Sequence, residues 1–232
     1  MIGPKNKVFI ISEVHPQHNG CIEDLELMIL QSKMAGASAV KLQLYDPLKL
    51  QKDPNKLYLQ IDFDELLSIK NYCDLIKIDL FASVFDHERF DWCEELKFKY
   101  HKVASRIKDT SLVEKMVTTK KTCFISNNDF TWGHFDNVKY LYCVPEYPTF
   151  IENIEMPTSF IGQNSKFSGI SDHSFGTTAC ICAIARGAKY IEKHFTISKG
   201  MQSNSEKAHL GSMDFNDLQQ IKKFSLDVRH II

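Results

Sequence analysis

The chain has 232 residues, 44% of them hydrophobic and 25% charged, with a formal net charge of -1 at pH 7. That is the composition of a soluble globular protein, at a length that fits one large domain. It excludes a general basic field for nucleic acid or anionic lipid, so a small anionic ligand must be met by a few locally placed cations.

The first apolar run, KVFIIS (7–12), is too short for a secretion signal, and no segment reaches the roughly 20 apolar residues that span a bilayer. A cytoplasmic protein is expected, with neither a nucleic acid nor a membrane as partner. Further β-rich runs follow at SAVKLQ (38–43), IDLFAS (78–83), YHKVAS (100–105), KTCFIS (121–126), VKYLYC (138–143), KFSGIS (166–171) and AKYIEK (188–193). Between most of them the apolar spacing is helical. Residues 23–35 place Leu27, Leu30 and Met34 on one face, with Gly36 as the stop. Residues 87–98 carry Phe90, Cys93 and Leu96 at spacing three, and residues 175–186 are small and apolar up to Gly187. Asp214 is positioned to cap a last helix with Phe215, Leu218, Ile221, Phe224 and Val228 inward. The stretch NNDFTWGHFDN leaves little room for a helix after the fifth strand. The seven cysteines are odd in number, contain no CxxC and mostly sit in apolar runs, which reads as reduced, buried thiols serving as small core hydrophobes.

Eight strands alternating with helices, with no linker or low-complexity tract, imply a single (β/α)8 barrel over residues 1–232. A doubly wound open sheet is the alternative, and no Gly-rich dinucleotide loop supports it. In such a barrel, polar side chains at the C-terminal strand ends face the active site. Those ends carry Glu13, Lys41 with Gln43, Ser83, Lys102 with Ser105, Ser126, Ser171 with His173, and Glu192 with His194. Period two puts Lys41 with Gln43, Ser171 with His173, and Glu192 with His194 on common faces, and turns Lys193 toward the helices.

His173 and His194 would end neighbouring strands, near enough to share one metal ion; the alternative is a pair of hydrogen-bonded core histidines. Glu192 is a third ligand, a partner supporting the ligands, or an ion pair with a lysine. Lys41 and Lys102 with the serines make an anion cradle, against separate serines serving turns. Glu13 is either a general base or a salt bridge to Lys41. His15 and His18 read as loop-shaping beside an Asn19-Gly20 turn.

The motifs IISEVHPQHNG, AVKLQ, FASVFD, HKVAS, YCVPEYP, GISDHSFG and IEKHF occur in the order of the landmarks of the sialic acid (nonulosonic acid) synthases, and the sequence resembles that family from about Val8 to Leu210. The resemblance implies a (β/α)8 barrel that condenses phosphoenolpyruvate (PEP) with an open-chain aldose, using a divalent metal such as manganese, with magnesium or cobalt as alternatives. It implies that His173 and His194 hold the metal, that Lys41, Ser83, Lys102, Ser105, Ser126 and Ser171 hold PEP, that Glu13 is the acid/base group, and that Gln43 and Tyr147 face the sugar. A homodimer fits the same resemblance.

The chain departs from the family in four places. Ser205 stands for a sugar-facing aspartate, Ile107 for an acidic residue, and Pro145 for an Asn or Ser of the PEP site. The sequence also ends at Ile232, without the family's C-terminal antifreeze-like domain, which supplies an arginine to the partner's site. These departures imply poor use of N-acetylmannosamine and better use of a different or smaller aldose. Two other readings remain: a metal-dependent aldolase or isomerase that does not use PEP, and a weakened binding subunit.

Overall fold

Each of the eight apolar runs forms a parallel strand: β1 (Phe9–Glu13), β2 (Ala39–Leu44), β3 (Asp79–Val84), β4 (Tyr100–Val103), β5 (Thr122–Asn127), β6 (Val138–Cys143), β7 (Gly169–Asp172) and β8 (Tyr190–His194). They pair in sequence order, and β8 returns to β1, so the sheet closes into a barrel. The computed structural model describes residues 7–127, 132–133, 135–162, 165–201 and 210–231. Ser205 and Glu206 lie outside them.

Seven α-helices surround the strands: α1 (Ile22–Ala35), α2 (Pro47–Gln51), α3 (Phe63–Ile76), α4 (His87–Glu95), α5 (Thr110–Thr118), α6 (Thr178–Ala185) and α7 (Phe215–Ile231). Their starts are chemically marked. Asp62, Asp86 and Asp109 accept hydrogen bonds from the backbone N–H groups of Glu65, Arg89 and Leu112, which satisfies donors that a helix cannot satisfy itself. Asp214 does the same for α7 through Asp217 at 3.0 Å, and Leu218 and Ile221 are fully buried, as the spacing predicts. Alternation with helices lapses after β5 and β6. Among the described residues the first connector has no helix, and the second has only a 3-10 turn, Ile151–Asn153.

Two expectations are corrected. α1 buries Leu25, Met28, Ile29, Ser32 and Ala35, while Leu27 and Met34 are 41% and 66% exposed and Leu30 is partly buried. The helix carries apolar residues around much of its circumference, so more than one stripe satisfies the spacing, and only packing on the barrel selects one. The seven thiols are all free, but Cys182 is exposed and Cys21 only partly buried; both lie where helices meet solvent.

Two glycines are required by geometry. Gly36 ends α1 at φ 101, a left-handed conformation that strains other L residues. Gly169, at the start of β7, lies so close to β8 that a Cβ there would sit 1.9 Å from the Tyr190 carbonyl oxygen.

Inside the barrel, period-two alternation stacks two very different layers. The lower is aromatic: Phe9, Phe81, Tyr100, Phe124 and Tyr190 meet with ring centroids 5.1–6.1 Å apart, edge-on, tilted or stacked. Two residues further along the strands, the same inward face becomes polar.

Candidate active site

The polar layer follows from strand register. Glu13 is level with Lys41 and His194, Ser83 with Lys102, and Ser171 with Glu192. All eleven residues singled out from the sequence line one cleft of about 390 Å3, counting its open mouth. Its floor holds Glu13, Lys41, Ser83, Lys102 and Ser126. Gln43, Ser105 and Tyr147 line it higher up, and Ser171, His173 and His194 form the β7–β8 wall.

The floor charges are paired. The Lys41 ammonium donates to a Glu13 oxygen and, at 2.9 Å, to Ser83. Lys102 donates to Ser126 at 2.7 Å and lies 3.6 Å from Glu192, whose Oε1 accepts from the Ser171 hydroxyl at 2.8 Å. The salt bridge from Glu13 to Lys41 raised from the sequence is present, and the pair faces the cleft. Ser83, Ser126 and Ser171 hold these charged groups, so their hydroxyls are already engaged.

The two carboxyls are driven apart. Burial pushes Glu13 up from 4.5 to about 7, against the pull of Lys41. Burial acts the same way on Glu192, but Lys102 and Lys41 outweigh it and hold that group below its ordinary value. Burial also disfavours both ammonium groups. Glu13 and Glu192 nevertheless keep Lys41 above the usual lysine range, whereas Lys102 falls below it. One carboxyl is thus held below its ordinary range and its neighbour is raised to about 7, the arrangement that separates electrostatic from proton-transfer roles.

On the wall, the His173 and His194 rings lie 5.6 Å apart. His173 Nδ1 is 3.2 Å from the Val144 carbonyl, which can only accept, so Nδ1 carries the proton and Nε2 the lone pair. His194 Nδ1 is 3.4 Å from the Gln17 side-chain oxygen. Burial holds His173 neutral, with its pKa lowered to about 4. Two imidazoles at this separation suit a shared divalent ion. Glu192 Oε2, buried and without a hydrogen-bond partner among the described residues, adds an available anionic oxygen nearby. No cluster of three His, Cys, Asp or Glu side chains forms among the described residues.

Behind Glu13, the loop reading of His15 and His18 holds. Gly20 N–H donates to His18 Nδ1 at 3.1 Å, His18 Nε2 to His15 Nδ1 at 3.0 Å, and His15 Nε2 to Tyr45 at 3.2 Å. The His15 backbone N–H also donates to Glu13 Oε1 at 2.9 Å, which fixes the carboxyl. Lys193, facing outward, is buried against Asp172 at 2.6 Å.

The sequence profile of the NeuB family matches residues 28–231. The chain belongs to the NeuB family. It is therefore an enzyme of the synthase type that this family comprises. It is similar to a pseudaminic acid synthase of Campylobacter jejuni, 29% identical over 92% of this chain and 71% of that protein. It is also similar to the N,N'-diacetyllegionaminic acid synthase of that organism, at 28% over 97% and 76%. The barrel superposes on the crystal structure of N-acetylneuraminic acid synthetase from Leptospira borgpetersenii with a TM-score of 0.83 and 24% identity, covering 97% of this chain and 85% of that one. No helix among the described residues is long and apolar enough to cross a membrane.

Three features of this NeuB-family cleft escaped the sequence reading. Cys143, taken as core filler, lines the cleft with its sulfur 3.9 Å from His173 Nδ1; its register with Ser171 was the available signal. Arg106, directly after the HKVAS motif, lines the mouth. Gln17 orients His194 from a loop far away in sequence, and no local pattern announces that contact.

Proposed function

We propose that this chain, as a single catalytic barrel, condenses PEP with an open-chain aldose to give a nonulosonic-type 3-deoxy-2-keto acid and phosphate. The observation that carries the reading is the juxtaposition, in one cleft, of two buried lysines, a carboxyl titrating near neutrality and two adjacent histidines. Lys41 and Lys102 gather the phosphate and carboxylate of PEP, each contact being charge-assisted. Gln43 and Tyr147 position the aldose. His173 and His194 hold a divalent metal, manganese by preference; when bound, it polarises the aldehyde as a Lewis acid.

PEP carbon 3 attacks the aldehyde carbon, protonated Glu13 gives its proton to the carbonyl oxygen, which becomes a hydroxyl, and carbon 2 is left electron-poor. Water adds there and gives its proton to Glu13. The resulting tetrahedral centre loses phosphate by carbon–oxygen cleavage, leaving the 2-keto acid. Ser171 and the two lysines keep Glu192 ionised beside carbon 2, where its charge stabilises the developing positive character.

The test incubates purified protein with PEP, manganese and a panel of aldoses including N-acetylmannosamine, mannose and arabinose, while phosphate release is followed. Aldose-dependent release with a new 2-keto acid is expected. Retro-aldol cleavage or isomerisation without PEP consumption would replace this reading.

A further inference from the structure

The cleft has three fixed cations, and they are not equivalent. Lys41 and Lys102 lie on the floor, 3% and 2% exposed, each within ion-pair distance of a carboxylate. Arg106 is exposed in the turn after β4 and lines the mouth of the same cleft. No carboxylate among the described residues lies within 4.0 Å of it. Its guanidinium carbon sits 5.6 Å from the centroid of the Tyr147 ring. The next residue, Ile107, is buried and uncharged, and Asp109 is occupied in capping α5. Arg106 is thus in ion-pair contact with no carboxylate among the described residues, and the residue that follows it carries no charge.

Stacking on an aromatic face restricts the guanidinium while leaving its in-plane N–H donors available, and their fork matches phosphate and carboxylate oxygens. Tyr147 also touches the β7 wall, its ring centroid 4.0 Å from that of His173. His173, Tyr147 and Arg106 therefore form a chain of contacts from the buried wall to solvent. A molecule with its aldehyde at the histidines and its tail toward the mouth brings that tail to Arg106. PEP, held by the lysines, lies deeper.

We propose that Arg106 forms a second anion subsite, which selects an acceptor aldose carrying a phosphate or carboxylate at the end remote from its aldehyde. This rests on the condensation reading above and names the class of its second substrate.

The experiment compares kcat/KM for mannose, mannose 6-phosphate and mannuronate at saturating PEP and manganese, in the wild type, Arg106→Gln and Arg106→Lys. Arg106 is exposed, so both variants should fold, which circular dichroism checks. A charge-assisted contact of this kind corresponds to a preference of at least about tenfold for an anionic sugar over mannose. That preference should collapse in Arg106→Gln and survive in part in Arg106→Lys. Preference for mannose 6-phosphate identifies a phosphate subsite, and preference for mannuronate a carboxylate subsite. Equal kcat/KM for all three sugars in the wild type overturns the proposal. So does a PEP Kd raised by Arg106→Gln as much as the preference falls, because the guanidinium then belongs to PEP. If no sugar supports phosphate release, the condensation reading fails, and calorimetry with mannose 6-phosphate and with mannuronate decides the subsite alone. Binding of either that is lost in Arg106→Gln supports it, and absence of binding by both overturns it.

Discussion

The lower and upper layers of the barrel lumen are successive levels of the same inward face and follow opposite rules. Below, Phe9, Phe81, Tyr100, Phe124 and Tyr190 fill the lumen with rings, each large side chain contributing about 1.5–3 kcal/mol by leaving water. Above, Glu13, Lys41, Lys102 and Glu192 are just as deeply buried, yet burying charge is unfavourable unless every partner is in place. The lower layer stabilises the fold, and the upper layer draws on that stability to hold charges where a reaction can use them. A purely structural lumen would have continued the aromatic layer upward.

The most severe way to break the upper layer is to take away what the histidines hold. Chelation should abolish turnover, manganese should restore it, and His173→Ala/His194→Ala protein should remain folded and inactive with or without added metal. Full activity of that variant without metal would remove the ion from the reading. Next comes Glu13→Gln, expected to lower kcat by about 10²–10⁴-fold and to erase an inflection near pH 7 in the kcat/KM profile.

Glu13 also carries a stability signature. Its folded pKa, about 7, lies above the ordinary 4.5, so between those values the folded state keeps a proton that the unfolded state has released. Its contribution to stability is present at acid pH and is lost as pH rises through that window. Thermal unfolding of the wild type relative to Glu13→Gln should therefore worsen from about pH 4.5 to about 7; a constant difference would contradict the assigned shift.

In the lower layer, Phe124→Ala should cost about 3–5 kcal/mol in denaturant unfolding, far beyond its effect on the KM for PEP. The smallest expected effect is Lys102→Ala, at least about tenfold in PEP affinity, or roughly 1.5–3 kcal/mol. Unaltered PEP binding in both Lys102→Ala and Lys41→Ala would dissolve the cradle.

The strand pattern was legible because period two is local: KVFIIS or AKYIEK reveals both its faces without reference to any other segment. Polar residues at those strand ends were legible for the same reason, and the barrel rule turned them into a ring. What depends on a partner was not. The α1 stripe is chosen by the surface it meets, and that surface preferred Leu25, Met28 and Ile29 to Leu27 and Met34. Cys143 looks like any small apolar residue until its neighbour His173 is placed. Gln17 reaches His194 across nearly the whole chain.

Gly169 lies one strand step below Ser171 and two below His173, facing Tyr190 across the β7–β8 seam. Its missing methyl lets the two backbones approach closely at the base of that seam. A single added carbon, Gly169→Ala, would wedge the seam open from beneath without touching either imidazole. The closure of the seam beneath the cleft thus depends on an absence near the barrel floor.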